Sequence, residues 1–112
     1  MRKQKEGTAY LKGGNNDIPL DYGEVRKAVL VLRAINHDRR QQIIALLDEN
    51  GEMTVTDIYI KLRLEQSVAS QHLAILRRAG VVETNRQGKY IYYSLDKDRL
   101  AQISSFIEDL TK

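Results

Sequence analysis

Across residues 66–95 the hydrophobic period of the chain changes once, and no other feature of the sequence restricts the fold so tightly. In "QSVASQHLAILRRAG" the apolar residues Ala69, Leu73 and Leu76, with Val68 or Ile75 beside them, recur at three- and four-residue steps. That spacing predicts an amphipathic helix over about 66–79, and Gly80 ends it. The run that follows, "VVETNRQGKYIYYSL", is rich in β-branched and aromatic side chains and carries Gln87-Gly88 as a turn signal. Residues 81–86 and 89–95 therefore predict a hairpin with a basic tip.

Upstream, helical spacing begins at Asp21. Val25, Ala28, Val29, Leu32 and Ile35 form a stripe, and Leu30 and Val31 add apolar surface beside it. A helix whose apolar face is wider than one core requires has a second partner to satisfy. Asn36 is placed to cap a second helix, with Asp38 in its first turn and Ile43, Ile44, Leu46 and Leu47 on its buried face. "DENGE" stops that helix at Gly51. Thr54 with Asp57 three residues on resembles a capping box and opens a short third helix to about Leu62. Arg63-Leu64-Glu65 turns the chain into the helix at 66–79. Leu100, Ile103, Ile107 and Leu110, with Phe106 beside them, mark a last helix. Residues 1–19 are polar, with Gly13-Gly14-Asn15-Asn16 and the only proline, Pro19, and read as a flexible arm ahead of one domain over 20–112. The expected fold is mainly α with a small β-hairpin, a winged helix-turn-helix in the order α-α-α-α-β-β-α.

With 112 residues the chain has material for one modest core. It contains no cysteine, which excludes disulfides, thiolate metal sites and thiol chemistry, and makes a cytoplasmic location the expectation. No apolar run approaches the ~20 residues of a membrane span, and the basic N-terminus has no apolar segment behind it, so neither a membrane nor a secretory signal is expected. The net charge is only +3, but it is unevenly spread. Residues 61–89 hold six basic side chains (Lys61, Arg63, Arg77, Arg78, Arg86, Lys89) against Glu65 and Glu83, a surplus of four, whereas residues 13–60 hold five basic against eight acidic. A positive region of that kind suits a polyanionic partner.

The outer side of the helix at 66–79 carries Ser67, Ser70, Gln71, Ala74, Arg77 and Arg78, with no acidic residue after Glu65. A merely solvated helix favours Glu–Lys pairs. Small polar residues instead permit close approach to base edges, where Gln can pair bidentately with adenine and Ser serves as donor or acceptor. The second helix of such a pair fits the major groove, and Arg86 and Lys89 beside the hairpin tip suit phosphates or the minor groove. Thr54 and Thr56 are also placed to reach a phosphate, although capping accounts for Thr54. Arg2, Lys3 and Lys5 give the arm the same chemistry. Tyr90 and Tyr92 point to one side of their strand and Ile91 and Tyr93 to the other, one pair for the core.

The run "SQHLAILRRAGVVETNRQGKYIYYSL" resembles the recognition helix and wing of the ArsR/SmtB family of bacterial winged-helix transcriptional regulators, and "INHDRRQQIIALLDENGEMTVTDI" is similar to that family's second and third helices. The resemblance covers about residues 21–110. It implies a homodimer built from the first and last helices, binding double-stranded operator DNA and usually repressing transcription, on the nucleoid of a bacterial cytoplasm. It places DNA contacts on Gln66, Ser67, Ser70 and Gln71, with Arg86 and Lys89 on the wing, to which residue chemistry adds Thr56 and Arg77. The implied dimer face carries Val25, Val29, Leu32, Ile103, Phe106, Ile107 and Leu110.

The metal-sensing sites of many relatives are not expected here. The third helix reads "TVTDIYIKL", without cysteine, and the positions of the last-helix site fall on Lys97, Arg99 and Leu110, which cannot replace that ligand set for zinc. His37 and His72 lack ligand spacing. No cofactor is expected, and no nucleophile, phosphate loop or Ser–His–acid grouping points to an enzyme. Two alternatives remain open on sequence: a winged helix docking on an acidic protein, and a regulator that senses a small organic ligand in a cavity between dimer helices.

Overall fold

The computed structural model describes residues 7–112. They fall into two compact units, one ending at Arg33 and the other running Ala34–Lys112.

The first unit begins with strands β1 (Thr8–Leu11) and β2 (Ile18–Asp21), paired antiparallel, and continues into helix α1 (Tyr22–Ile35), whose last two residues belong to the second unit. The hairpin is a correction to the expected flexible arm: regular structure stands where the sequence pattern shows only polar punctuation. Its physical reason is the register. Leu11 pairs with Ile18 and Ala9 with Leu20, which gathers the apolar side chains on one face, and the Gly13–Asn16 turn closes with an Asn16 N–H to Gly13 carbonyl bond. Pro19 is tolerated because β2 is bonded to one neighbour among the described residues, leaving an edge that needs no N–H. Arg2, Lys3 and Lys5 lie outside the described residues. β2 runs into α1 without a linker. The Asp21 carboxylate accepts the N–H groups of Gly23 (3.0 Å) and Glu24 (3.2 Å), and the Tyr22 N–H donates to the Gly7 carbonyl.

The second unit holds α2 (Asp38–Asn50), β3 (Glu52–Thr54), α3 (Val55–Leu62), α4 (Gln66–Arg78), β4 (Val82–Gln87), β5 (Tyr90–Leu95) and α5 (Lys97–Thr111). The strands form one antiparallel sheet in the order β3-β5-β4. β3 is too short for periodicity to reveal, yet it seats Met53 in the core opposite Tyr93. Buried Ile43, Leu46 and Leu47 of α2, Ile58 of α3, Ala69, Leu73 and Leu76 of α4, Val81 and Val82 at the root of the wing and Ile103 of α5 make a single core, joined by Ala34 and Ala79. Desolvation of these apolar side chains supplies the main driving force. Among the described residues, no helix is long and apolar enough to cross a membrane.

The helix ends follow local chemistry. Thr54 and Asp57 form the expected capping box, with Thr54 Oγ1 accepting the Asp57 N–H at 3.2 Å and Asp57 Oδ2 accepting the Thr54 N–H at 3.3 Å. The Gly51 N–H returns to the Leu47 carbonyl. Arg63, the one non-glycine residue with positive φ (57°) among those described, makes the turn into α4. Two expectations shift by one residue. His37, not Asn36, caps α2, because the ring Nδ1 accepts the Arg39 N–H at 3.1 Å. The wing turn is Gly88-Lys89, not Gln87-Gly88, since Gln87 still pairs with Tyr90, and Gly88 (φ 64°) leads a two-residue loop that requires φ > 0 there.

Candidate nucleic-acid interface

The face of α4 follows from its core side. Once Ala69, Leu73 and Leu76 are buried, the 3.6-residue period sends Gln66, Ser67, Ser70, Gln71, Ala74, Arg77 and Arg78 outward, and all seven are exposed. No acidic residue stands in the first turn of α4, and Arg77 and Arg78 occupy its last. The helix thus presents small hydrogen-bonding groups at one end and two guanidinium groups at the other. Beyond Gly80 the chain turns back. Gly80 holds φ 79°, and a Cβ at that position would lie 3.1 Å from Arg99 Nε. Arg99 in turn donates from Nε to the Ala79 carbonyl at 3.2 Å, so α5 closes the C-terminal end of α4.

The wing is anchored beside this helix. Ser70, Leu73, Ala74, Arg77 and Arg78 line an open cleft whose far wall is Tyr93 of β5. Tyr90 and Ile91 near the tip are both exposed, whereas Tyr92 and Tyr93 are half-buried, so depth along the strand, and not face alone, sets which tyrosines pack. At the tip, Arg86 and Lys89 are exposed. Arg86 Nη1 donates to the Gly88 carbonyl at 3.3 Å, and Lys89 Nζ sits 5.6 Å from the Tyr90 ring centroid. Thr56 is exposed in the first turn of α3. The expected contact residues of α4 and of the wing tip are all exposed, and Thr56 is exposed at the entry to the preceding helix.

The apolar surface expected at a dimer contact divides. On α1, Val25 and Val29 are exposed and Leu32 is half-buried; Leu30, outside the expected set, is 63% exposed. On α5, Phe106, Ile107 and Leu110 are exposed, but Ile103 is only 7% exposed. Ile103 is therefore a correction. Its side chain faces back into the subunit core, one turn before the exposed Phe106 and Ile107. Lys97 pairs with Asp48 at the surface (2.9 Å), and Arg99 Nε donates to the Ala79 carbonyl (3.2 Å). Among the described residues, no group of three or more His, Cys, Asp or Glu side chains is arranged to hold a metal ion.

One cluster escaped the sequence reading because its members lie 35 positions apart. His72, half-buried on the inner flank of α4, meets Arg40 of α2, whose Nη1 is 3.2 Å from His72 Nδ1. Arg40 Nε also donates to the Ala34 carbonyl at 2.6 Å. The His37 and His72 rings are 4.8 Å apart, tilted by 56°. Burial, and then the charges of His37, Arg40 and Arg39, push the His72 imidazole below its ordinary value of 6.5.

Comparison with known proteins agrees with this geometry. Residues 37–84, from the cap of α2 into β4, match the family described as bacterial regulatory protein, arsR family. The transcriptional activator HlyU of Vibrio cholerae is 36% identical over 99 residues, covering 88% of each chain, and its solved structure superimposes with a TM-score of 0.60 over 80% of this chain and 97% of that one. The biofilm growth-associated repressor of Agrobacterium fabrum is 33% identical over 94 residues, covering 76% of this chain and 80% of its own. A homodimeric winged helix-turn-helix DNA-binding domain from Mycobacterium bovis, a possible ArsR-family regulator, has a TM-score of 0.66 at 27% identity, covering 80% of this chain and 82% of that one. The fold is a winged helix-turn-helix, and the chain belongs to the arsR family of bacterial regulatory proteins.

Proposed function

We propose that this chain is a sequence-specific DNA-binding transcriptional regulator that acts as a homodimer on a two-fold operator. The observation that carries the reading is the acid-free outer face of α4, with Gln66, Ser67, Ser70 and Gln71 exposed ahead of Arg77 and a wing bearing Arg86 and Lys89. In this reading α4 enters the major groove, where Ser67, Ser70 and Gln71 meet base edges, while Arg77, Thr56 and the wing cations neutralise phosphates. Val25, Val29 and Leu32 with Phe106, Ile107 and Leu110 form the subunit contact. The two copies of α4 then lie about one helical turn, ~34 Å, or a multiple of it apart.

We assign the chain no catalytic role and place its action in the cytoplasm. Relatives include a named activator and a named repressor, and we favour repression by occupancy of promoter DNA, readable in a reporter strain. Selection of bound duplexes from a random pool tests the core of the proposal. It should return symmetric half-sites at that spacing, with an affinity that falls steeply as salt rises. Absence of duplex binding at low salt would sink it and turn attention to an acidic protein partner.

A further inference from the structure

We infer that His72 is a positioning residue for DNA reading, and that protonation of its ring unseats α4 and makes duplex binding acid-sensitive. The inference rests on the regulator reading above. Its basis is the direction of two hydrogen bonds. A guanidinium group can only donate, so the Arg40–His72 contact requires a lone pair on His72 Nδ1 and puts the ring proton on Nε2. A backbone N–H can also only donate, so His37 Nδ1 at the cap of α2 must be unprotonated too. The two rings are neighbours, and each depends on the same nitrogen remaining bare.

Acid reverses that arrangement. A proton on His72 Nδ1 turns an acceptor into a donor facing a donor and puts a second positive charge beside the guanidinium group. Among the described residues, the titratable and charged groups acting on this ring are His37, Arg40 and Arg39, each of them cationic when charged. None of these offers the protonated ring a compensating ion pair, which favours its moving away. His72 directly follows Gln71 on α4, and Arg40 is itself tied to the Ala34 carbonyl. The partner that moves is therefore the helix carrying the base-reading side chains. Because binding selects the seated α4, a bond kept in the bound chain and lost in the acidified free chain lowers affinity by at most about tenfold.

The test uses the full chain and the duplex recovered by selection, with anisotropy titrations at constant ionic strength in steps from roughly pH 7.5 down to the lowest pH at which the chain stays folded, because His72 titrates below the ordinary imidazole value. Wild type should weaken by up to about tenfold on acidification. His72→Asn, whose amide oxygen accepts from Arg40 but does not titrate, should bind like wild type at the highest pH and change little as the pH falls. His37→Asn, a good cap without a titrating ring, should keep the acid response. A flat wild-type response, an H72N variant as acid-sensitive as wild type, or a flat H37N variant each overturns the proposal. A measurement without DNA separates it from the regulator reading: nitrogen-resolved NMR of the His72 ring in the neutral protein should show the proton on Nε2. A proton on Nδ1 overturns the positioning role even if duplexes bind. Failure of every duplex to bind at any pH overturns the regulator reading and, with it, the acid-sensitive binding, whatever tautomer is found.

Discussion

His37 and His72 stand with ring centroids 4.8 Å apart, each accepting a hydrogen bond on Nδ1, one from the Arg39 backbone and one from the Arg40 side chain. The stability consequence at His72 has a definite sign. The folded chain disfavours the charged His72 ring, first through burial and then through neighbouring positive charge, so its value lies below 6.5. The unfolded chain then binds more protons in that window, and stability falls as pH falls. The contribution should be complete above the unfolded value and be lost progressively as pH drops through the lowered folded value. Urea unfolding at a series of pH values should show this slope in wild type and a shallower one in His72→Asn. Equal slopes in the two proteins would contradict it.

Gly80 links the last turn of α4 to the wing at φ 79°, with Arg99 closing on it. Gly80→Ala should cost about 1–2 kcal/mol from the left-handed backbone, with a further cost if Arg99 is displaced from the Ala79 carbonyl. Chemical denaturation reads the loss, and an unchanged midpoint would show that the junction can relax.

Base readout and backbone contact should separate by mutation. Gln71→Ala should relax preference at one operator position and cost about 1–3 kcal/mol against the selected duplex. Arg86→Ala should weaken selected and random duplexes alike and reduce the salt slope by about one. Competition titrations at several salt concentrations distinguish these patterns. A sequence-dependent loss in R86A would assign Arg86 to base contact.

The exposed end of α5 gives the dimer prediction. Leu110 is 66% exposed, so Leu110→Glu is tolerated by a single subunit but would bury a carboxylate in the proposed contact. Sedimentation should show the dimer dissociation constant raised by more than about thirtyfold, the effect of losing a hot-spot residue. The matching change at Ile103, which lies in the core, should instead unfold the subunit. A dimer that ignores L110E would move the contact elsewhere.

The parts of this fold legible in the sequence were those written in long periods or strong punctuation. Ala69, Leu73 and Leu76 set the phase of α4 and hence its outer face, and Thr54 with Asp57 marked a helix start that the hydrogen bonds match. What escaped lies in short or distant relationships. β3 spans Glu52–Thr54, too few residues for alternation to stand out, and its pairing with β5 depends on a strand about forty residues away. The β1–β2 hairpin hides its apolar face in a register, Leu11 against Ile18, that only pairing reveals. Ile103 and Ile107 share a stripe on α5, and period alone cannot say which of them the core claims. The Arg40–His72 bond joins residues 32 apart and leaves no local trace.

Thr54 ends β3 and caps α3, while β3 is hydrogen-bonded to the second strand of the wing. The helix pair and the wing are therefore set at one gauge, like the jaws of a caliper cut from a single bar. A duplex that meets both must accommodate that spacing, so bending and groove width are expected to contribute, through base steps that no side chain touches, to which sites are held.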